Sequence, residues 1–248
     1  MTPEVPTWHL IGGEDGCRFA RERGAVAVIV DALRASSTAA HVLAAGAAEI
    51  WAVSTVETAR AAKRACPEAL LFGERGGLPP EGFDYGNSPG DAAAARGRTV
   101  IFSTTTGTQR ILQAGGAAAV LMRAAVNARA AAHAAQVLAE GYSAEIVVIP
   151  AGLAGAPEFP AEEDWAAAAA ILLQADGGVA EGAAAYREWR HLLELDGLER
   201  LFDTATHAQA LREVGLGDDV GLCARLNTVD AVPIVIGKND YGAIIRSF

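Results

Sequence analysis

Val26-Ala27-Val28-Ile29-Val30-Asp31-Ala32-Leu33-Arg34-Ala35-Ser36-Ser37-Thr38 is the stretch that decides the fold. Five apolar residues, without polar alternation, predict a strand covered on both faces, as in sheets flanked by helices. The run breaks at Asp31, and a guanidinium and three hydroxyls lead into a helix expected over 38–45, with Gly46 just past its end. The same succession recurs along the chain. Strands are expected at 49–53, 69–72, 99–102, 118–122 and 145–149, and helices at 56–65, 108–114 and 127–139. Beyond Pro150 helices dominate from about 162 to 214, and two short strands at 233–236 and 242–246 close the chain. This pattern predicts a three-layer α/β/α fold with a largely parallel or mixed central sheet and a helix-rich C-terminal half. We expect a single domain over 1–248, with a sub-lobe boundary near 150.

Composition narrows the function. The 248 residues include 51% hydrophobic and 20% charged residues, and 30 acidic against 20 basic residues give a net charge of −10. A negative surface disfavours nucleic acid and anionic membranes, which need a positive field. Lys63 and Lys238 are the only lysines, so the positive charge is almost all arginine, the side chain that grips phosphate and carboxylate with a fork. Cys17, Cys66 and Cys223 suggest neither a disulfide framework nor a metal motif. No signal-peptide pattern opens the sequence, and no apolar run is long enough to span a bilayer. A cytoplasmic protein is expected, and a homodimer is compatible with the sequence.

Ligands of open parallel sheets sit at the carboxyl ends of strands, and three loops there are unusual. In the first, Asp31 suits a metal or an attack on phosphorus, while Arg34 and the helix N-terminus suit an anion. Helix capping would explain the same residues. The second, 73–89, carries five glycines and three prolines together with Glu74, Arg75, Phe83, Asp84, Tyr85 and Asn87. Neither helix nor central strand can form there, and long loops in compact domains are commonly functional. The third, Ser103-Thr104-Thr105-Thr106-Gly107-Thr108, gathers hydroxyls before a helix and reads as an oxyanion cradle or, again, as capping. Asn127, with Arg123 and Arg129, flanks another strand end. The five histidines show no ligand spacing and read as surface or packing residues.

VIVDALRASST (28–38), GERGGLPPEGFDYGNSP (73–89) and FSTTTGT (102–108), in this order, resemble the 2-phosphosulfolactate phosphatase family of coenzyme M biosynthesis. Weaker echoes are Val126-Asn127-Ala128, Ala151-Gly152, Glu163-Asp164 and the stretch from Cys223 to Pro233. In the third loop Thr106 stands where the family usually has Asn, which removes an amide donor. The resemblance implies a Mg²⁺-dependent phosphatase that converts (R)-2-phospho-3-sulfolactate to 3-sulfolactate and phosphate. On that basis Asp31, Arg34 and Glu74 are expected to be catalytic, and Asp31, Glu74, Asp84 and Asp164 to supply oxygen ligands to Mg²⁺. Arg75, Asn87, Ser103, Thr104, Thr105, Thr106, Gly107, Thr108 and Asn127 are expected to bind the small anionic substrate. Asp31 is open between nucleophile and metal ligand; Leu33, where a haloacid-dehalogenase-like enzyme has a second Asp, favours direct attack by water. The alternatives are a phosphatase for another phosphorylated hydroxy acid, and a non-catalytic anion-binding regulator.

Overall fold

The computed structural model describes residues 6–248. Strand β2 (Val26–Val30) is buried along its whole length, because its two faces feed two different cores. Val26, Val28 and Val30 face one cluster, and Ala27 and Ile29 face the other. Most of the remaining strands follow the same alternation. The other strands are β1 (Trp8–Leu10), β3 (Glu49–Ala52), β4 (Leu70–Gly73), β5 (Thr99–Ser103), β6 (Ala119–Arg123), β7 (Ile146–Pro150), β8 (Pro233–Lys238) and β9 (Ala243–Ser247). One mixed sheet contains all nine, in the order β1-β7-β2-β6-β8-β9-β3-β5-β4.

Helices cover both faces, giving three α/β/α layers. On one face α1 (Gly13–Arg23), α2 (Ala35–Ala44) and α4 (Gly107–Gln113) pack with Ala27, Ile29, Val100, Phe102 and Met122. On the other, α3 (Val56–Ala65) packs against Leu71 and Ile101. Beside it lie α5 (Ala128–Tyr142), α6 (Glu162–Leu172), α7 (Ala183–Asp196), α8 (Leu198–Thr204), α9 (Thr206–Glu213) and α10 (Asp218–Cys223). Ala131, Ala135, Ala166, Ala167 and Ala168 are at most 1% exposed; the alanine-rich segments are close-packed helix surfaces.

Every expected strand forms, with ends shifted by a residue or so. Three differences have physical causes. Strand β1 and helix α1 precede the region where the sequence pattern becomes regular. Helix α5 passes through Gly141, and Ser143 supplies the left-handed residue that ends it, with φ of 52°. Segment Pro89–Ala95 coils into a 3-10 helix against α2.

The pairing direction positions the site. Strands β1, β7, β2 and β6 are mutually parallel, as are β3, β5 and β4. Between them stands the β8–β9 hairpin, and the junctions β6/β8, β8/β9 and β9/β3 are all antiparallel. Three reversals make the two parallel blocks run oppositely. In a flat sheet the carboxyl ends of β2 and β5 would lie at opposite edges and five strand steps apart, more than roughly 24 Å at about 4.8 Å per step. Yet a Cβ at Gly107, just after β5, would lie 2.9 Å from Asp31 Oδ2, just after β2. The sheet therefore curls round α2 and α4, in the sense that strand twist dictates, and folds the carboxyl ends of both blocks toward each other. Among the described residues, no helix is long and apolar enough to cross a membrane.

Candidate active site

Where the strand ends converge lies a cavity of about 400 Å³, a size suited to a small metabolite. Asp31, Arg34, Glu74, Asn87, Thr105, Thr106, Asp164 and His207 form its polar wall; Leu33, Leu153, Phe159, Leu211 and Val214 form an apolar one.

Asp31 leaves β2 directly. Its Oδ1 accepts the Ala35 N–H at 3.1 Å, and its backbone N–H donates to Ser36 Oγ at 3.1 Å. Capping and exposure to the cavity thus coexist in one side chain, with Oδ2 turned toward Gly107. Burial pushes the Asp31 carboxyl up to about 6; the Ala35 N–H and nearby His207 oppose this, while Glu74 and Glu163 add to it. Asp164, in the first turn of α6, accepts the Ala32 N–H at 2.7 Å and the Gly152 N–H at 3.0 Å. It thereby ties the β2 and β7 loops together. Burial, then the negative charges of Glu163 and Asp31, hold its carboxyl well above the usual range.

Glu74 reaches in from β4. It accepts from Thr105 N at 2.7 Å, Thr105 Oγ1 at 3.2 Å and Gly77 N at 3.2 Å, which fixes the 73–89 loop against the β5 loop. Arg34 is buried and anchored at two points. Its Nη1 donates to Asp219 Oδ2 at 2.6 Å and its Nη2 to Gly77 O at 2.6 Å. Asn87 is 3% exposed, and its Oδ1 has no partner among the described residues.

Several candidates from the sequence lie elsewhere. The Arg75 guanidinium donates to Glu74 O at 2.5 Å, Ser103 O at 3.0 Å and Ser103 Oγ at 2.9 Å, so Arg75 and Ser103 brace the loop from outside the cavity. Thr104 and Thr108 exchange backbone-to-hydroxyl bonds at 3.2 and 3.3 Å. Asp84 accepts the Leu71 N–H and pairs with Lys63 at 3.3 Å. Asn127 accepts from Ala124 N and donates to Ala231 O. Gly107 serves by lacking a side chain: a Cβ there would lie 2.7 Å from the Ala35 Cβ. Thr105 and Thr106 are the members of the hydroxyl loop that reach the cavity, and Thr106 Oγ1 accepts the Ala154 N–H at 3.1 Å.

His207 and Asp219 escape sequence reasoning, and Glu163 enters it only as part of a weaker echo of the family. His207 Nδ1 lies 3.0 Å from Glu163 Oε1, with Glu163 1% exposed beneath it. No spacing signal relates these two helices, which are 44 residues apart. Asp219 also accepts Ser88 Oγ at 2.6 Å and so links the 73–89 loop to α10.

Known proteins are similar to this sequence. The family model described as 2-phosphosulpholactate phosphatase matches residues 17–238. The chain is 36% identical to a protein of Carboxydothermus hydrogenoformans over 207 residues, 83% of this chain and 84% of the relative. It is 36% identical to one of Deinococcus radiodurans over 224 residues, 88% and 90% of the two chains. A Thermus thermophilus protein is 37% identical over 226 residues, 89% and 92%. All three are named probable 2-phosphosulfolactate phosphatase. With the match spanning every strand end that lines the cavity, the chain belongs to the 2-phosphosulpholactate phosphatase family, whose name denotes phosphoric monoester hydrolases.

Proposed function

We propose that this protein hydrolyses the phosphate monoester of (R)-2-phospho-3-sulfolactate, giving 3-sulfolactate and phosphate, with Mg²⁺ as cofactor. The observation that carries the reading is the charge of the cavity wall. Asp31, Glu74 and Asp164 face a space where Arg34 is already engaged by Asp219 and His207 by Glu163. A multiply charged anion enters such a space only together with added positive charge.

The donor set fits magnesium. Among the described residues no group of three or more His, Cys, Asp or Glu side chains is gathered closely enough to hold a metal ion by itself, so a bound ion would rest on fewer protein ligands. Mg²⁺ prefers one or two carboxylates and completes its shell with water and substrate phosphate. Asp31, through Oδ2, and Glu74 would hold it, with Asp164 in reserve. When bound, the ion would neutralise charge on the transferred phosphoryl group. The chain's own groups do the rest. Arg34 offers a fixed positive edge, and Asn87 would donate to the anion through its amide nitrogen, its unengaged Oδ1 being an acceptor. Thr105 and Thr106 line the cavity and would border the phosphoryl group, and Leu153 and Phe159, on the apolar wall, would restrict water.

The test is phosphate release from 2-phosphosulfolactate, phospholactate, phosphoglycolate and an aryl phosphate, each with and without Mg²⁺. Turnover that is greatest on 2-phosphosulfolactate and lost with chelator is expected. Asp31→Asn keeps the Oδ1 that accepts from Ala35, so it should remain folded and lose turnover; unchanged activity would overturn the reading.

A further inference from the structure

We infer that His207 is the general acid that protonates the leaving-group oxygen, oriented by Glu163; the inference rests on the phosphatase reading above. His207 is the second residue of α9 and lines the cavity together with Asp31 and Asp164. Its Nδ1 is taken up by Glu163 Oε1 at 3.0 Å, and Phe159 packs edge-on to the ring at 6.0 Å and 88°. These two contacts fix the tautomer and the plane of the imidazole. Nδ1–H donates to the carboxylate, and Nε2 has no partner among the described residues. A histidine held at one nitrogen by a buried carboxylate and free at the other is the arrangement that proton transfer requires. Glu163 is buried and spends its Oε1 on His207, while its Oε2 has no partner among the described residues. It is a positioning residue.

The charges facing the ring are those of Glu163 and Asp164 from α6, Asp31 from the β2 loop and Glu74 from the β4 loop, set against the Arg34 guanidinium. Burial disfavours the imidazolium, but Glu163, through hydrogen bond and charge, and then Asp31 outweigh it and raise the pKa above the ordinary value.

The step balances. As the oxygen of water bonds to phosphorus, the bond between phosphorus and the ester oxygen breaks, and its electron pair stays on that oxygen, which keeps its bond to carbon. That oxygen takes the Nε2 proton, and the product leaves as a neutral hydroxyl. Phosphate departs with both hydrogens of the water, as H₂PO₄⁻, and one of them restores the imidazolium through solvent. A secondary alkoxide needs such a proton, whereas a nitrophenolate leaves nearly as well without one.

The experiment therefore compares leaving groups. His207→Asn places an amide N–H where Nδ1–H stands and can keep the bond to Glu163. For this variant kcat on 2-phosphosulfolactate should fall about 10²–10³-fold, and on p-nitrophenyl phosphate by less than about tenfold. Glu163→Gln should show the same split in a milder form. Circular dichroism checks that both remain folded. Equal losses on the two substrates, or no loss on either, would overturn the acid role. A wild-type protein that releases phosphate from neither substrate would overturn the phosphatase reading, and this inference with it.

Discussion

Arg34 Nη1 and Asp219 Oδ2 lie 2.6 Å apart with side chains only 2% and 7% exposed, joining the β2 loop to α10 across 185 residues of chain. Arg34 lines the cavity, and its pairing with Asp219, behind that wall, ties distant segments together. Removing one partner of such a pair leaves a buried charge with nothing opposite it, at about 3–5 kcal/mol. Asp219→Ala should therefore lower the stability measured by urea denaturation by that amount and raise KM, since Arg34 loses its anchor. Arg34→Lys should also raise KM, because an ammonium cannot serve Asp219 and Gly77 with one rigid fork. A variant of either kind with wild-type KM would show that the pair is only structural.

Gly107 is a second sensitive point. Ala at this position would bring its Cβ to 2.7 Å from Ala35 and 2.9 Å from Asp31 Oδ2. The α2 backbone has to give way, and Asp31 with it. We expect Gly107→Ala to cost about 1–3 kcal/mol in stability. Activity should drop further, about 10²-fold in kcat, because the Asp31 carboxylate that we propose holds the metal ion is displaced by a fraction of an ångström or more. Paired denaturation and kinetic measurements separate the two effects.

His9 gives the fold a pH dependence remote from the cavity. It packs on Phe19 at 4.7 Å, and its Nδ1 accepts the Glu181 N–H at 3.3 Å. Burial lowers its pKa below the ordinary value, and the charges of Glu145 and Glu181 only partly offset this. The unfolded chain then binds the proton more readily than the folded one. Its contribution to stability is present above about pH 6.5, the ordinary histidine value, and is lost as pH falls through that value toward the folded pKa. The urea midpoint of the wild type should fall between pH 7.5 and 5.5 by more than that of His9→Gln. Parallel slopes for the two proteins would refute this.

Arg123 is 0% exposed, and all three of its guanidinium nitrogens are without hydrogen-bond partners among the described residues. Burial pulls its pKa down to about 9, so it remains charged at neutral pH. An unpaired buried cation opposes folding. Arg123→Met, similar in length and apolar, should stabilise the protein by about 1–4 kcal/mol, seen as a rise of several degrees in Tm. A fall in Tm would mean that the guanidinium has a partner in solution.

Much of the architecture is legible in β2, whose unbroken apolar run announces a strand covered on both faces. Asp31, Glu74, Asn87, Thr105, Thr106 and Asp164 could be picked out because they follow strands or open helices, where the backbone itself points outward. Arg75 shows the limit of reading by residue type. Arginine suits phosphate, but this one has carbonyl oxygens of Glu74 and Ser103 within reach and turns to them. His207 and Glu163 meet only because α9 packs beside the first turn of α6, and no local pattern encodes that packing. The opposed direction of β3, β5 and β4 was equally hidden. It is set by a hairpin that the chain makes last and inserts between β6 and β3.

That hairpin orders events in time. Residues 26–30 and 99–103 leave the ribosome long before 233–247, yet the strands that join their two sheets into one are β8 and β9. Until those closing strands arrive, each block has an unsatisfied inner edge: β6 on one side and β3 on the other. Contacts between segments so distant in sequence are slow to form. Until β8 and β9 pair, the inner edges of β6 and β3 are open to pairing with other strands, including those of other molecules.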